Sequence, residues 1–325
     1  MGVLVIGLIL VAGFISPLDR TESKISSEEG FTVVALNASW LFDGIDDGDF
    51  TAAPQNEEDA EAHLAAVSDY LATVDADFIA IEEIESADML HRLNEKLGGD
   101  YDEIFVQGTD DYTRQNAAAL SRFSVAGMGR SDATQRYPIP GSRFRAPMGI
   151  EDVAKHFWAT VEVGTETITF IGVHLLAYPD DLQRAVRREA QALIIRNLAK
   201  SFLDQGHEVV ILGDINDFDT LACDAAGNEP ISCVDQLFTD IDPDREGVEM
   251  MNVATTLPQS ERYSYWYDIN QNGIDDGAEE HSMIDHMYVS LELADTLVSI
   301  RIDHAGYEAR TVSDHWPILA TFDLP

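Results

Sequence analysis

Residues 207–217 read HEVVILGDIND: four consecutive apolar residues, Val209 to Leu212, then Gly213, then Asp214, Asn216 and Asp217. A short apolar run closed by polar residues is what a strand buried on both faces requires. Such strands belong to layered α/β folds, whose sheets carry their chemistry just beyond the strand ends.

The pattern repeats outward from this segment. FTVVALNA (31–38) and DFIAIEEI (77–84) are further β-rich runs, and Ala60, Leu64, Val67, Leu71 and Val74 recur between them at helical spacing. Leu90, Leu93 and Leu97 mark a second helix that opens at Ser86 and stops at Gly98-Gly99. HFWATVEV and TITFIGVHLL read as a strand pair turning at Gly164, and HSMIDHMYVS and PILATFDL as late strands. Between Gly164 and Asp214 a long helix carries Val186, Ala190, Leu193, Ile194, Leu198 and Phe202 on one face. No linker or composition break follows residue 30, so residues 30–325 are expected to form one α/β domain.

Polar residues stand at the strand ends in order: Asn37, Glu82 and Glu83, His174, Asp214 and Asn216, Asp285 and His286, and Asp314-His315 before Trp316-Pro317. Any one of them serves a turn or a helix start as readily as a reaction. Six successive strand ends carrying carboxylate, amide or imidazole groups call for a functional reading.

Composition narrows the field. The 325 residues hold 20 Lys+Arg against 59 Asp+Glu, a formal charge of −39, with 45% apolar residues. That is a globular core under an acidic surface, poorly suited to nonspecific duplex binding through phosphates. Only four of the basic residues are lysines (Lys24, Lys96, Lys155, Lys200), and a solubilising surface in a saline medium is the expected meaning of the charge. Residues 1–29 hold a 13-residue apolar run, Val3–Ile15, and a polar linker; the run matches a signal-peptide core and is too short to span a bilayer, so export is expected, by cleavage or as a surface anchor. Cys223 and Cys233 flank a loop that a short disulfide would close, with two unpaired thiols as the alternative.

Taken in order, TVVALNASW, FIAIEEIES, GVHLLA, VVILGDIND, SMIDHMYVS and VSDHWPI resemble the motif series of the endonuclease/exonuclease/phosphatase superfamily with its deoxyribonuclease I-like fold. The resemblance spans roughly residues 31 to 320 and implies an α/β, four-layer sandwich of two mixed β-sheets flanked by helices. It implies a phosphoric ester hydrolase that uses Mg²⁺ or Mn²⁺, held by Glu83, Asp314 and the amide oxygen of Asn37, since hard cations take oxygen ligands. By the same resemblance Asp214 orients or deprotonates the attacking water and Asn216 holds phosphate or Asp214. His174 and His315 donate to phosphate oxygens, and Asp285 fixes the tautomer of His315 and raises its pKa. Arg114, just before a strand, is a candidate substrate contact. Arg143, Arg145, Arg184, Arg187 and Arg188 add local positive charge, the last two read as the solvated face of the long helix.

Residues 268–279, DINQNGIDDGAE, match a calcium loop through Asp268, Asn270, Asn272, Asp276 and Glu279, with the Ile274 carbonyl and Gly273 at the turn. A structural Ca²⁺ is one reading and a polar hairpin tip the other. An exported phosphodiesterase acting on nucleic acid or nucleotides is the leading expectation. A phospholipid phosphodiesterase of the sphingomyelinase type is the alternative, a catalytically silent binding module a third, and no protein partner is inferred. A basic groove beside the site favours nucleic acid, and exposed aromatics there favour lipid.

Overall fold

Burial on both faces shapes the central strand. FTVVALNASWL forms an 11-residue strand, Phe31–Leu41, in which residues 33–38 are all buried. It pairs in parallel with Phe78–Ile84 and antiparallel with Ile318–Phe322. The computed structural model describes residues 30–45, 54, 56–245, 249–305 and 311–324, so the apolar run and linker of residues 1–29 lie outside the described residues.

Two six-stranded mixed sheets result. In spatial order the first contains Leu297–Ile302, Ile318–Phe322, Phe31–Leu41, Phe78–Ile84, Asn116–Ser121 and Asp102–Phe105. The second contains Met250–Asn252, Asp285–Ser290, Glu208–Asp214, Glu166–His174, His156–Val163 and Val125–Gly129. The sheets pack face to face, with Phe78 and Phe170 stacked across the interface at 3.8 Å between ring centroids. Alternation along Glu208–Asp214 separates its two faces: Val210 and Leu212 enter the core between the sheets, while Val209 and Ile211 face the outer helices.

Helices complete the four layers. Glu57–Val74 starts at Asn56, whose side chain accepts from the Asp59 N–H, and three acidic residues in its first turn suit the helix dipole. Ala87–Lys96 is capped by Ser86, and the chain leaves it through Gly98 and Gly99, both with positive φ. The long helix Leu182–Leu203 and the short Val234–Thr239 cover the second sheet. Val186, Ala190 and Ile194 are buried as the periodicity predicts. Arg188 departs from expectation: it is fully buried, not solvated, and pairs with Asp217.

Candidate active site

Topology brings the polar strand ends together. The parallel pairs Phe31–Leu41 with Phe78–Ile84, and Glu166–His174 with Glu208–Asp214, end at one edge of the sandwich, where the antiparallel Asp285–Ser290 begins. The register sets Asp214 between His174 and Asp285, and Asn37 beside Glu82. Glu83, His174, Asp214, Asn216, Asp314 and His315 line one cavity of about 660 Å³. Asn37 and Asp285 stand behind that wall and hold its members.

Several backbone conformations there are unusual. Glu83 (φ 61°) and Asn216 (φ 54°) occupy the left-handed region, which non-glycine residues adopt mainly where surrounding structure enforces it. Gly213 has φ 121°, and a Cβ on it would stand 2.4 Å from both Glu82 Oε1 and the Val173 carbonyl oxygen. No larger residue fits between the sheets at this point.

Two hydrogen-bonded groups organise the chemistry. The Asn37 amide donates to Asp214 Oδ2 at 3.0 Å and, more weakly, to Glu83 Oε1 at 3.4 Å, while its oxygen accepts from the Ser39 N–H. The Asn37 oxygen is therefore turned to the backbone and away from the metal position assigned to it from sequence. Asp214 Oδ1 accepts from the Asn216 N–H, and the Asn216 amide donates to the Leu175 carbonyl. Burial and the nearby charge of Asp285 push Asp214 up to about 7, against the opposing influence of His315. On the other side, Asp285 Oδ2 accepts from Ser264 Oγ at 2.7 Å and from His315 Nδ1 at 2.8 Å. Burial disfavours the imidazolium of His315, yet Asp285, through charge and hydrogen bond, outweighs it and holds His315 well above its ordinary value. With Nδ1 committed to Asp285, Nε2 is the remaining donor. His286, one residue on, faces the opposite side of the sheet, where Nε2 meets the Asp217 carbonyl.

His174 is a different imidazole. Burial, then the charges of Lys155 and His315, push it well below its ordinary value. Its Nε2 accepts from Lys155 Nζ at 3.3 Å and lies 3.6 Å from Asp214 Oδ2. Lys155, Gln115, Ser264 and Tyr265 carry no signal in the sequence that would single them out. The Lys155 amine donates to Gln115 Oε1 at 3.0 Å and lies 3.8 Å from Asp110, a half-buried group behind a carboxylate-rich wall. Arg114 is exposed with φ 58° and does not line the cavity; its neighbour Gln115 turns inward instead.

Beneath the cavity lies Glu82, fully buried, with neither carboxylate oxygen hydrogen-bonded. Burial first, then the charges of Asp285 and Asp214, raise it well above the ordinary carboxylate range. A carboxyl whose folded pKa is raised loses stability as pH climbs above its unfolded value, because the unfolded chain releases the proton first. Glu82→Gln removes that loss. The melting temperature of this variant in chelator is expected to exceed that of the parent by more at about pH 8 than at about pH 4.5. An equal difference at both pH values would show that Glu82 ionises freely.

The donor set suits a hard divalent cation. Glu83, Asp214, Asp285 and Asp314 crowd one site against Lys155 and His315, and burial raises Glu83, with Asp314 adding repulsion and Lys155 opposing it. Among the described residues, Asp214, Asp285 and His315 also offer ligand-type atoms within 4.8 Å of one another. The sequence-assigned ligands Glu83 and Asp314 line the cavity beside them.

In the 268–279 loop, Asp268 accepts from the Asn272 and Gly273 N–H groups, and Asn270 and Asn272 donate to Asp276 Oδ2. Glu280, one residue beyond the expected Glu279, closes this loop: it accepts from Trp266 Nε1 and from the N–H groups of Ile269 and Asp276. The Ile274 side chain is exposed. Cys223 and Cys233 are both free, so the disulfide is not formed; Cys223 lies by Gln259, while the Cys233 thiol, raised to about 12 by burial and Glu189, lies by the long helix.

The sequence model of the endonuclease/exonuclease/phosphatase family matches residues 48–315. No curated protein matches the sequence significantly. Among solved structures, an AP endonuclease from Archaeoglobus fulgidus superposes with a TM-score of 0.61 at 13% identity, over 90% of this chain and 100% of that one. The Xenopus laevis APE2 catalytic domain gives 0.57 at 16% identity, over 90% and 92% of the two chains. A truncated Caenorhabditis elegans TDP2 gives 0.55 at 18%, over 90% and 97%. At these identities the likeness is one of fold.

Proposed function

The chain belongs to the endonuclease/exonuclease/phosphatase family of phosphoester hydrolases, and from that premise we propose that it is an Mg²⁺-dependent phosphodiesterase acting on nucleic acid or nucleotides. One observation carries the reading: an Asn37-held Asp214 and an Asp285-held His315 face the same cavity as Glu83 and Asp314. Glu83 and Asp314 would hold the cation, which would supply polarisation of the phosphoryl oxygen and charge neutralisation at the leaving oxygen. Asn37 keeps Asp214 oriented, and Asp214 takes the proton of the attacking water. His315 Nε2 donates to the phosphate, its charge sustained by Asp285. Asn216 fixes Asp214 through its backbone N–H.

Support for a nucleic-acid substrate comes from the family and from neighbours whose names include an AP endonuclease. The lipid alternative draws on exposed tyrosines and Ile269 at the cavity rim. Export into a saline medium is part of the same proposal, resting on the apolar run 3–15 and the charge of −39. Ca²⁺ at residues 268–279 would act structurally, read as a rise in melting temperature at constant Mg²⁺.

The test is a panel of plasmid DNA, RNA, sphingomyelin vesicles and a chromogenic phosphodiester, in high salt, with Mg²⁺ or Ca²⁺ and with chelator. Cleavage of nucleic acid that chelator abolishes and Mg²⁺ restores is the expected result. Turnover of vesicles alone would replace the reading by the lipid one, and full activity in chelator would remove the metal. Activity on DNA is expected to rise with salt, as screening relieves repulsion between two polyanions.

A further inference from the structure

The cavity that holds the catalytic groups is lined by no lysine or arginine among the described residues; its imidazoles are His174, His281 and His315. A wall of that kind cannot grip successive phosphates of a duplex. It does carry aromatic side chains. Tyr178 and Tyr267 are 64% and 60% exposed on its lining, and Tyr265, whose ring lies 4.7 Å from that of His315, is near-parallel to Tyr267. A second cavity of about 800 Å³ shares Trp40, Tyr265, Tyr267 and Asp314 with the first, so the aromatic wall continues past the catalytic carboxylate.

Tyr178 is held in place with unusual thoroughness for an exposed residue. Its backbone is left-handed (φ 69°), a strained state for a side chain of this size. Arg188, fully buried, donates to the carbonyls of Leu176, Tyr178 and Pro179 and pairs with Asp217 at 3.0 Å. The Arg184 guanidinium lies 4.5 Å over the Tyr178 ring centroid, covering one face. One turn on, Arg187 binds Glu151 through two hydrogen bonds, and Glu151 lies in register with Gln135, beside the exposed Arg136. Neither Arg184 nor Arg136 makes an ion pair among the described residues, whereas Arg187 and Arg188 both do. A fixed aromatic ring with a cation behind it, next to a phosphodiester-cleaving centre, is a stacking platform for a base whose phosphate has a nearby partner.

Resting on the nuclease reading above, we infer that the substrate is an unpaired polynucleotide strand. One base lies on the open face of Tyr178 with its phosphate toward Arg184, the scissile phosphate sits between Asp214 and His315, and the strand continues along Tyr265 and Tyr267. Single strands also carry the lower charge density, so the acidic surface opposes them less than it opposes duplex.

The experiment compares kcat/KM for a single-stranded oligonucleotide, the same sequence as duplex, a chromogenic phosphodiester and sphingomyelin vesicles, for the parent protein, Tyr178→Ala, Tyr178→Phe and Arg184→Ala. The parent is expected to prefer the single strand over duplex by tenfold or more. Tyr178→Ala is expected to raise KM for the single strand about five- to a hundredfold, with Tyr178→Phe recovering most of it. Arg184→Ala is expected to raise the same KM and to steepen its fall with salt, since an attraction is removed from a net repulsion. Equal rates on single strand and duplex, with Tyr178→Ala unchanged in KM, would overturn the platform and leave the nuclease reading standing. Turnover of vesicles without cleavage of either nucleic acid would overturn both.

Discussion

Asp214→Asn is expected to lower kcat by about 10²–10⁴-fold with the fold intact, the range associated with loss of a positioned general base. The substitution is isosteric, and the Asn216 N–H that now donates to Oδ1 keeps an acceptor. The Asn37 amide, which donates to Oδ2, then faces another amide unless that side chain turns, a small perturbation beside loss of the base. Because Asp214 is pushed up to about 7 by burial and by Asp285, it is poised to take a proton near neutral pH. The parent should therefore show an acid limb in kcat/KM, falling as pH drops through the Asp214 pKa. A bound cation stabilises the carboxylate and moves that limb below 7, so its position should shift with metal concentration. In Asp214→Asn the limb should vanish. An acid limb that persists unchanged in the variant would assign the base elsewhere, with Glu83 and Asp314 the next candidates in the cavity.

The residues of this site differ in how far sequence exposes them. Asn37, Glu83, His174, Asp214, Asp285 and His315 are legible because each interrupts, bounds or closely precedes an apolar strand, and the parallel and antiparallel pairings carry those positions to one edge. Lys155 gives no such signal. It is a single lysine ahead of HFWATVEV, and only the pairing of that strand with Glu166–His174 sets its ammonium against His174. Arg114 drew attention over Gln115 by its charge, but a positive φ at Arg114 turns it out as the strand Asn116–Ser121 begins. Arg188 looked solvated because arginines on amphipathic helices ordinarily are; its partner Asp217 stands 29 residues away and is apparent only once the sheet and helix are packed. In the 268–279 loop the buried carboxylate is Glu280, which follows the spacing-matched Glu279 and which no position in the motif marks. Spacing along the chain reports periodic elements well. It reports badly on side chains whose orientation is decided by irregular backbone or by a distant partner.

Asp285→Asn tests the second half of the site, and a loss in kcat of about 10²–10³-fold is expected, comparable to removal of one preorganised donor at a developing charge. Asp285 accepts from both Ser264 and His315, and the Ile284 and Asp285 N–H groups donate to the same Ser264 oxygen. Asparagine keeps one acceptor for these two donors and places an amide N–H against the other. Breaking a buried pair by removing one member typically costs about 3–5 kcal/mol, an upper bound here because His315 can shed its proton instead. The pH dependence gives the sign. His315 has a folded pKa raised above its unfolded value, so the stability it contributes is fully present below the unfolded value and is lost as pH rises through the folded one. Denaturant melts of parent and variant should therefore differ most near about pH 6 and converge on the alkaline side. The kinetic counterpart is the basic limb of kcat/KM, which should move to lower pH in Asp285→Asn as the imidazolium loses its support. His315→Ala in the Asp285→Asn background should add little above the shifted limb, where the imidazole is already uncharged, and more below it. A basic limb that stays where it is would show that His315 does not serve as the charged donor, and would pass that role to Lys155 acting through His174.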